Sequence, residues 1–273
     1  VDWADRILVN TIRLYHVIEE ILDLNKKIIW WIHEVNGFED IEDRLFDSIN
    51  KRKGIFVYAV SPLVMKKLLQ RTGADFKAEK LEFGLENYKV EAKENRQKII
   101  FALIGTIVRH KGQDIFIRAV ERLPQSCKDT AEFWIVGRGQ LAAEDLERVD
   151  SCIKITGEID IRKMPELYHR IDVVVCCSRE EPMSVVVVEG CMNGKLVIVS
   201  DAAGIADYIT DRSDGLLFRS EDVKQLAELM EWAIMHREQV RQIGNAAKGV
   251  YEKNFTLEIF ERNLLELMGK ENA

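Results

Sequence analysis

The sequence has no apolar run approaching the roughly 20 residues that would carry a helix across a bilayer, which argues against a membrane-spanning protein. Proline is scarce, at four among 273 residues, while 47% are hydrophobic, a balance that suits densely packed cores. A basic surplus is missing too. With a formal net charge of -7, the chain has no general attraction to nucleic acid or anionic lipid, so an anionic ligand has to be held by local donors. The five cysteines, Cys127, Cys152, Cys176, Cys177 and Cys191, are an odd number without metal-ligand spacing; we read them as buried reduced thiols of a cytoplasmic protein. There is no initiator methionine and no signal peptide: Val1-Asp2-Trp3 leads at once into an apolar run. No glycine-rich first turn occurs in residues 1–50. This opening reads as a cut made inside a domain, and we expect the start of that domain to precede Val1 or to be supplied by another chain.

Short β-branched runs alternate with stretches of helical period along the whole chain. That pattern predicts an α/β protein with two Rossmann-like, doubly wound parallel-sheet domains, the first incomplete. In residues 1–86 we expect strands at 6–9, 27–32, 55–59 and 80–83, with helices near 11–24, 39–51 and 62–72. The polar segment 87–97 reads as a linker. Residues 98–252 read as a complete domain with strands at 99–104, 132–136, 153–155, 173–177, 196–199 and 216–218. The tail from Asp222 to Met268 is helical by pattern, with Gly244 and Gly249 expected to interrupt it. Residues 253–273 are expected to form a final helix that packs back on the first domain.

Three stretches carry chemistry. The first, Gly105-Thr106-Ile107-Val108-Arg109-His110-Lys111-Gly112, follows a strand and opens a helix. Gly105 permits a tight turn, and Arg109 and Lys111 place cations where phosphate is already favoured. The plainer alternative is an ordinary strand-to-helix turn with two solvated cations. In the second, the strand Phe133 to Val136 ends in Gly137-Arg138-Gly139. It lacks a full G-x-G-x-x-G fingerprint followed by an acidic residue about 20 positions on, which weakens an NAD-dependent reading.

The third runs from Asp172 to Gly194, where a strand delivers Ser178 to Glu181 into a loop. Four consecutive valines, Val185 to Val188, favour a strand by propensity. Gly194 as a stop and the strand that follows argue instead for a buried helix, with Pro182 in its first turn. The N–H groups near Ser184, Val185 and Val186 would then face a ligand phosphate, with Glu181 at the mouth and Glu189 able to reach a pair of hydroxyls. A helix-start carboxylate and a surface glutamate are the bland alternative for the two acids.

These stretches, with Ile155-Thr156-Gly157-Glu158 and Tyr168 to Asp172, together resemble glycosyltransferase family 4, whose E-x7-E motif is matched by Glu181 and Glu189. The likeness runs over roughly residues 99–233. It implies a GT-B fold, a nucleotide diphosphate sugar as donor, retention of anomeric configuration, and no metal or other cofactor. Lys111 would bind the donor diphosphate, Glu181 the transferred sugar and Glu189 the ribose. Gly157, Glu158 and Ile159 would lie near the base, and Gly105, Thr106, Gly137, Met183, Ser184 and Val185 would complete the donor site. His33, closing the Trp30-Trp31-Ile32 run, would contact the sugar or leaving group, and with Glu181 it is our catalytic candidate.

Two departures stand out. Thr106 occupies a place where the family often has arginine, leaving Arg109 to substitute. Pro182-Met183-Ser184 replaces the usual glycine-aromatic-glycine, implying a differently shaped sugar pocket.

The expected function is hexosyl transfer to a glycan or lipid-linked acceptor in surface polysaccharide synthesis. It would be cytoplasmic, at the inner face of a membrane reached through the portion preceding Val1. The alternatives are a non-catalytic nucleotide-sugar-binding module and a related epimerase or phosphorylase.

Overall fold

The computed structural model describes residues 3–88 and 97–269. They divide into two compact units, Val1–Leu85 with Phe255–Ala273, and Glu86–Asn254. Of the polar 87–97 connection, only Asn87, Tyr88 and Gln97 are among the described residues.

In the first unit four strands, β1 (Arg6–Val9), β2 (Lys27–Ile32), β3 (Ile55–Ala59) and β4 (Glu79–Lys80), pair in parallel in chain order. Every residue of β2, Lys-Ile-Ile-Trp-Trp-Ile, is buried, as befits a strand flanked on both edges and covered on both faces. The helices are α1 (Tyr15–Ile21), α2 (Asp43–Lys51) and α3 (Pro62–Thr72). Ser61 caps α3 by accepting from Val64 N at 3.2 Å, and Pro62 takes the first helical position, where its missing N–H costs nothing.

Three expected elements are shorter than their patterns suggested. Thr11 caps a 3-10 turn at Ile12–Leu14 before α1, α2 starts only at Asp43, and the strand expected at 80–83 reduces to Glu79–Lys80. The last helix, α11 (Leu257–Gly269), belongs to this unit. Leu85 N donates to Phe255 O at 2.9 Å, Trp31 stacks on Phe260 at 5.4 Å, and Lys27 Nζ donates to Leu267 O at 2.5 Å. The lysine thus satisfies a carbonyl at a helix C-terminus and complements its dipole.

The second unit holds β5 (Ile99–Ile104), β6 (Ala131–Val136), β7 (Ile153–Gly157), β8 (Val173–Cys176), β9 (Leu196–Ser200) and β10 (Leu216–Phe218). They pair in parallel in the spatial order β10-β9-β8-β5-β6-β7. The strand that enters first lies in the middle, and the winding reverses between β5 and β8; turns leaving those two strands diverge and open a crevice at their carboxyl ends. Helices α4 (Gln113–Glu121), α5 (Gln125–Thr130) and α9 (Val223–Met235) pack together on the sheet, and α8 (Val185–Met192) packs with α10 (Arg237–Asn254) over β8 and β9. Short α6 (Ala143–Leu146) and α7 (Met164–Arg170) lie in the connections around β7.

The valine run is therefore helical. Val187, Val188, Cys191 and Met192 are buried, Asn193 caps the C-terminus, and Gly194 follows at φ 64°. Pro182 is not in its first turn: α8 begins at Val185 with Ser184 as N-cap, because the chain from Glu181 is still pairing with the strip beyond β9, where Glu181 N donates to Ala202 O at 3.3 Å. Gly244 and Gly249 do not interrupt the tail. Both lie inside α10, and a Cβ on Gly244 would come within 2.6 Å of Gly194 O, so that glycine serves close packing rather than a break. The tail breaks instead at His236 and at Phe255–Thr256.

Candidate functional site

At the carboxyl edge of the second sheet, the ends of β5 and β6 touch through backbone. Gly105 N donates to Val136 O at 2.8 Å and Ile107 N to Arg138 O at 2.7 Å. A Cβ on Gly137 would lie 1.9 Å from Gly105 O, and Gly137 has a φ of 152°, so only glycine fits. Beside this contact is a cavity of about 340 Å3. Gly105 and Thr106 line it from β5, Gly137 and Arg138 from β6, and Glu158, Ile159 and Met164 from the connection beyond β7. Gly157 closes β7 and accepts from Gly137 N at 2.9 Å. Five residues expected around the donor, Gly105, Thr106, Gly137, Glu158 and Ile159, are thus brought together; Arg138 and Met164 were not anticipated.

From Gly105 the chain runs through a 3-10 turn, Arg109–Lys111, into α4. The stem of Lys111 lies over Gly105, within 3.9 Å of where a Cβ would be. Its Nζ donates to Glu181 Oε2 across the point where the winding reverses, and the same oxygen accepts from Ser178 Oγ at 3.3 Å. Glu181 is almost fully buried. Its loop is fixed to the segment that follows β9 by Gly204 N donating to Glu181 O at 2.8 Å. Arg109 is exposed, and what it contributes to the described contacts is its backbone oxygen.

Glu189, on α8, is buried and its carboxylate is held by two phenols. Tyr88 donates to Oε1, and the Tyr168 hydroxyl stands 3.0 Å from Oε2 and 2.9 Å from Val186 O. Burial pushes the Glu189 carboxyl above its usual range, while the two phenols act in the opposite direction. Burial likewise raises both tyrosines, and the nearby carboxylate adds to it. Each oxygen of the Glu189 carboxylate thus faces a tyrosine hydroxyl. Tyr88, 101 positions away in sequence, could not have been paired with Glu189 from spacing. Ser184 makes no side-chain cap, so the first N–H groups of α8, which have no intrahelical partner, remain uncapped by it. Met183 and Ser184 are buried, and Val185 is 44% exposed.

His33 belongs to the first unit, just past the end of β2. Its ring centroid lies 4.2 Å from that of Trp31, and its Nε2 is buried without a hydrogen-bond partner among the described residues. Burial lowers its pKa, with Glu34 partly opposing, which keeps the ring neutral at pH 7. Glu34 accepts from Ile12 N at 2.9 Å and from His33 N at 3.1 Å, fixing the backbone on which the histidine sits.

The family model of glycosyl transferases group 1 matches residues 86–250, the unit that carries this cavity and both glutamates. The chain belongs to that family. An uncharacterized glycosyltransferase of Methanocaldococcus jannaschii is 24% identical over 230 residues, covering 78% of this chain and 58% of that protein. An α-1,4-N-acetyl-D-galactosaminyltransferase of Campylobacter jejuni is 29% identical over 147 residues, covering 53% of this chain and 41% of its own length. The chain thus spans about half the length of these curated relatives. The crystal structure of Anabaena HepE, in complex with UDP and glucose, superposes with a TM-score of 0.82 at 17% identity, covering 98% of this chain and 78% of that one. The fold is accordingly the GT-B type of glycosyltransferases. Among the described residues no helix is long and apolar enough to cross a membrane, and no group of three or more His, Cys, Asp or Glu side chains is placed to hold a metal.

Proposed function

We propose that the chain works as a retaining glycosyltransferase of family 4, moving a hexosyl group from a nucleotide diphosphate sugar to a glycan or lipid-linked acceptor in surface polysaccharide synthesis. The observation that carries this reading is the Lys111–Glu181 pair, held across the reversal of the winding and beside a glycine-lined cavity. In a doubly wound sheet that is where ligands bind. Lys111 and the N-terminus of α8 would stabilise the charge that develops on the departing diphosphate. Glu181 would accept from hydroxyls of the transferred sugar, and Glu189 from those of the ribose. The base would enter the cavity along Gly157, Glu158 and Ile159. His33, neutral at pH 7, is the first unit's candidate for a contact with the sugar or leaving group. A lipid-linked acceptor is supported by the Campylobacter relative, named for an acceptor on PP-undecaprenol. A uridine donor is supported by the Anabaena neighbour, solved with UDP.

The test is a thermal-shift and calorimetric screen of UDP-, GDP- and ADP-linked sugars. A donor at a hundred times its Kd stabilises the bound unit by about 2.7 kcal/mol. One donor should raise the melting temperature, and Lys111→Ala and Glu181→Ala should each weaken its binding. Unchanged affinity in both variants discards the assignment, and an inverted anomeric centre in the product, read by NMR, discards retention.

A further inference from the structure

Lys111 and Glu181 meet from segments 70 residues apart, and a pair of flexible side chains cannot by itself keep two loops in register. The residue that does so is Arg179, two positions before Glu181. Its Nη1 and Nη2 donate to the two carboxylate oxygens of Asp114 at 2.8 and 2.7 Å, a bidentate pair at the first turn of α4. Nη1 also donates to Arg109 O at 2.6 Å, the Arg179 backbone N donates to His110 O at 2.8 Å, and Nε reaches Glu221 at 2.8 Å. The whole turn from Arg109 to Asp114 is thereby fastened, on both sides of Lys111, to the loop that carries Glu181.

Gly112 completes the crossing. A Cβ there would stand 2.1 Å from Cys177 O, so the turn lies directly on the end of β8. Asp114 is nearly buried, and Arg179 is 19% exposed at its side chain, which shields the pair from solvent screening. Burial raises the Asp114 carboxyl, but the Arg179 hydrogen bonds, together with the charges of Arg179 and Arg118, outweigh it and hold the group below the usual carboxylate range.

We propose that Arg179 and Asp114 are positioning residues for the donor, a clamp that sets the register of Lys111 against Glu181. The inference rests on the proposed function. A fork of two parallel bonds fixes direction as well as distance, which lysine in place of arginine cannot do. A displacement of about 1 Å between groups that grip one ligand can cost on the order of a hundredfold in rate or affinity.

The experiment is a mutant cycle on the full chain, in which UDP-glucose, GDP-mannose and ADP-glucose are titrated against wild type, Lys111→Ala, Arg179→Lys and the double variant. Melting temperatures of the ligand-free proteins are recorded alongside, and Asp114→Asn serves as a second variant if Arg179→Lys does not fold. Arg179→Lys should weaken donor binding by at least about tenfold, and Lys111→Ala should cost far less on that background than on wild type, because the lysine is already out of register. A clamp that only holds the fold would lower the melting temperature and leave affinity alone, or the two losses of affinity would multiply; either result overturns the proposal. If Lys111→Ala weakens binding while Arg179→Lys and Asp114→Asn do not, the clamp alone falls. If wild type binds none of the three donors, the proposed function falls, and the clamp's role with it.

Discussion

Replacing Gly137 by alanine attacks the site through the backbone alone, so its cost can be worked from the contacts at the ends of β5 and β6. The new Cβ would lie 1.9 Å from Gly105 O, 1.1 Å inside the 3.0 Å limit that real Cβ contacts respect, and 2.6 Å from Gly105 C. A side chain cannot rotate away from such a clash; the two strand ends have to part. Parting them strains the hydrogen bonds Gly105 N to Val136 O and Ile107 N to Arg138 O, each contributing about 1 kcal/mol net. The φ of 152° adds a conformational penalty of about 1–3 kcal/mol for an L-residue. Together these give about 3–5 kcal/mol, a large part of a domain's usual 5–15 kcal/mol.

Gly157→Ala is the control, because its φ of 72° imposes strain of about 1–2 kcal/mol while nothing lies within 4 Å of its Cβ. For a unit of 169 residues, from Glu86 to Asn254, each kcal/mol moves the melting temperature by about 2–4 °C. Thermal unfolding followed by circular dichroism should therefore fall by about 10 °C for Gly137→Ala and about 4 °C for Gly157→Ala. Equal shifts would refute the claim that backbone contact between the strand ends, rather than glycine's conformational freedom alone, builds this edge of the cavity.

Three further outcomes are expected. Glu181 neutralises Lys111 in the absence of ligand, so Glu181→Ala should bind bare UDP at least as tightly as wild type while losing affinity for the preferred nucleotide sugar; equal losses for both ligands in calorimetry would count against that picture. The hydrogen bond from Lys128, joined by one from Cys152 N, holds the Asp150 carboxyl down to about 2. A depressed carboxyl stabilises the fold above its unfolded pKa of about 4 and loses that contribution as pH falls toward 2, so urea titrations of wild type and Asp150→Asn should differ near neutrality and converge in acid. On α8, Val188→Ala should destabilise by about 2 kcal/mol, since two buried methyl groups and a cavity outweigh a propensity gain of about 0.5 kcal/mol, whereas Val185→Ala, at a 44% exposed position, should be neutral or slightly stabilising; equal effects in denaturant titration would mean burial is not what makes the run helical.

The valine run shows what could be read in advance. Propensity favoured a strand, but Gly194, placed where a helix stops, and the strand beginning at Leu196 left a parallel crossover no other element to use. The structure settles the matter by burying Val187 and Val188 against β8 and β9, a tertiary gain several times the propensity penalty. Strands such as Ile55–Ala59 and Ile99–Ile104 were legible for a related reason: a buried parallel strand is a short apolar run with polar ends, and that signal is local. Gly244 was misread because the same residue marks a helix stop and a close helix approach, and only the position of Gly194 distinguishes them.

The site divides along the same line. Residues offered by strand ends and turns, Gly105, Gly137, Lys111 and Glu181, could be named because such ends lie at the carboxyl edge of the sheet and because their order along the chain resembles glycosyltransferase family 4. The partners that hold them could not, since Arg179 meets Asp114 across 65 positions and Tyr88 meets Glu189 across 101, and no periodicity spans such gaps. Sequence separation of that size is itself informative about energetics. A contact closing a long loop has to offset more chain entropy than a local one, and a bidentate pair or a doubly bonded carboxylate gains more than a single neutral hydrogen bond. The groups least visible in the sequence are therefore the ones whose bonds are charge-assisted and shielded, and they stand directly behind the two glutamates and the lysine on which the proposed chemistry depends.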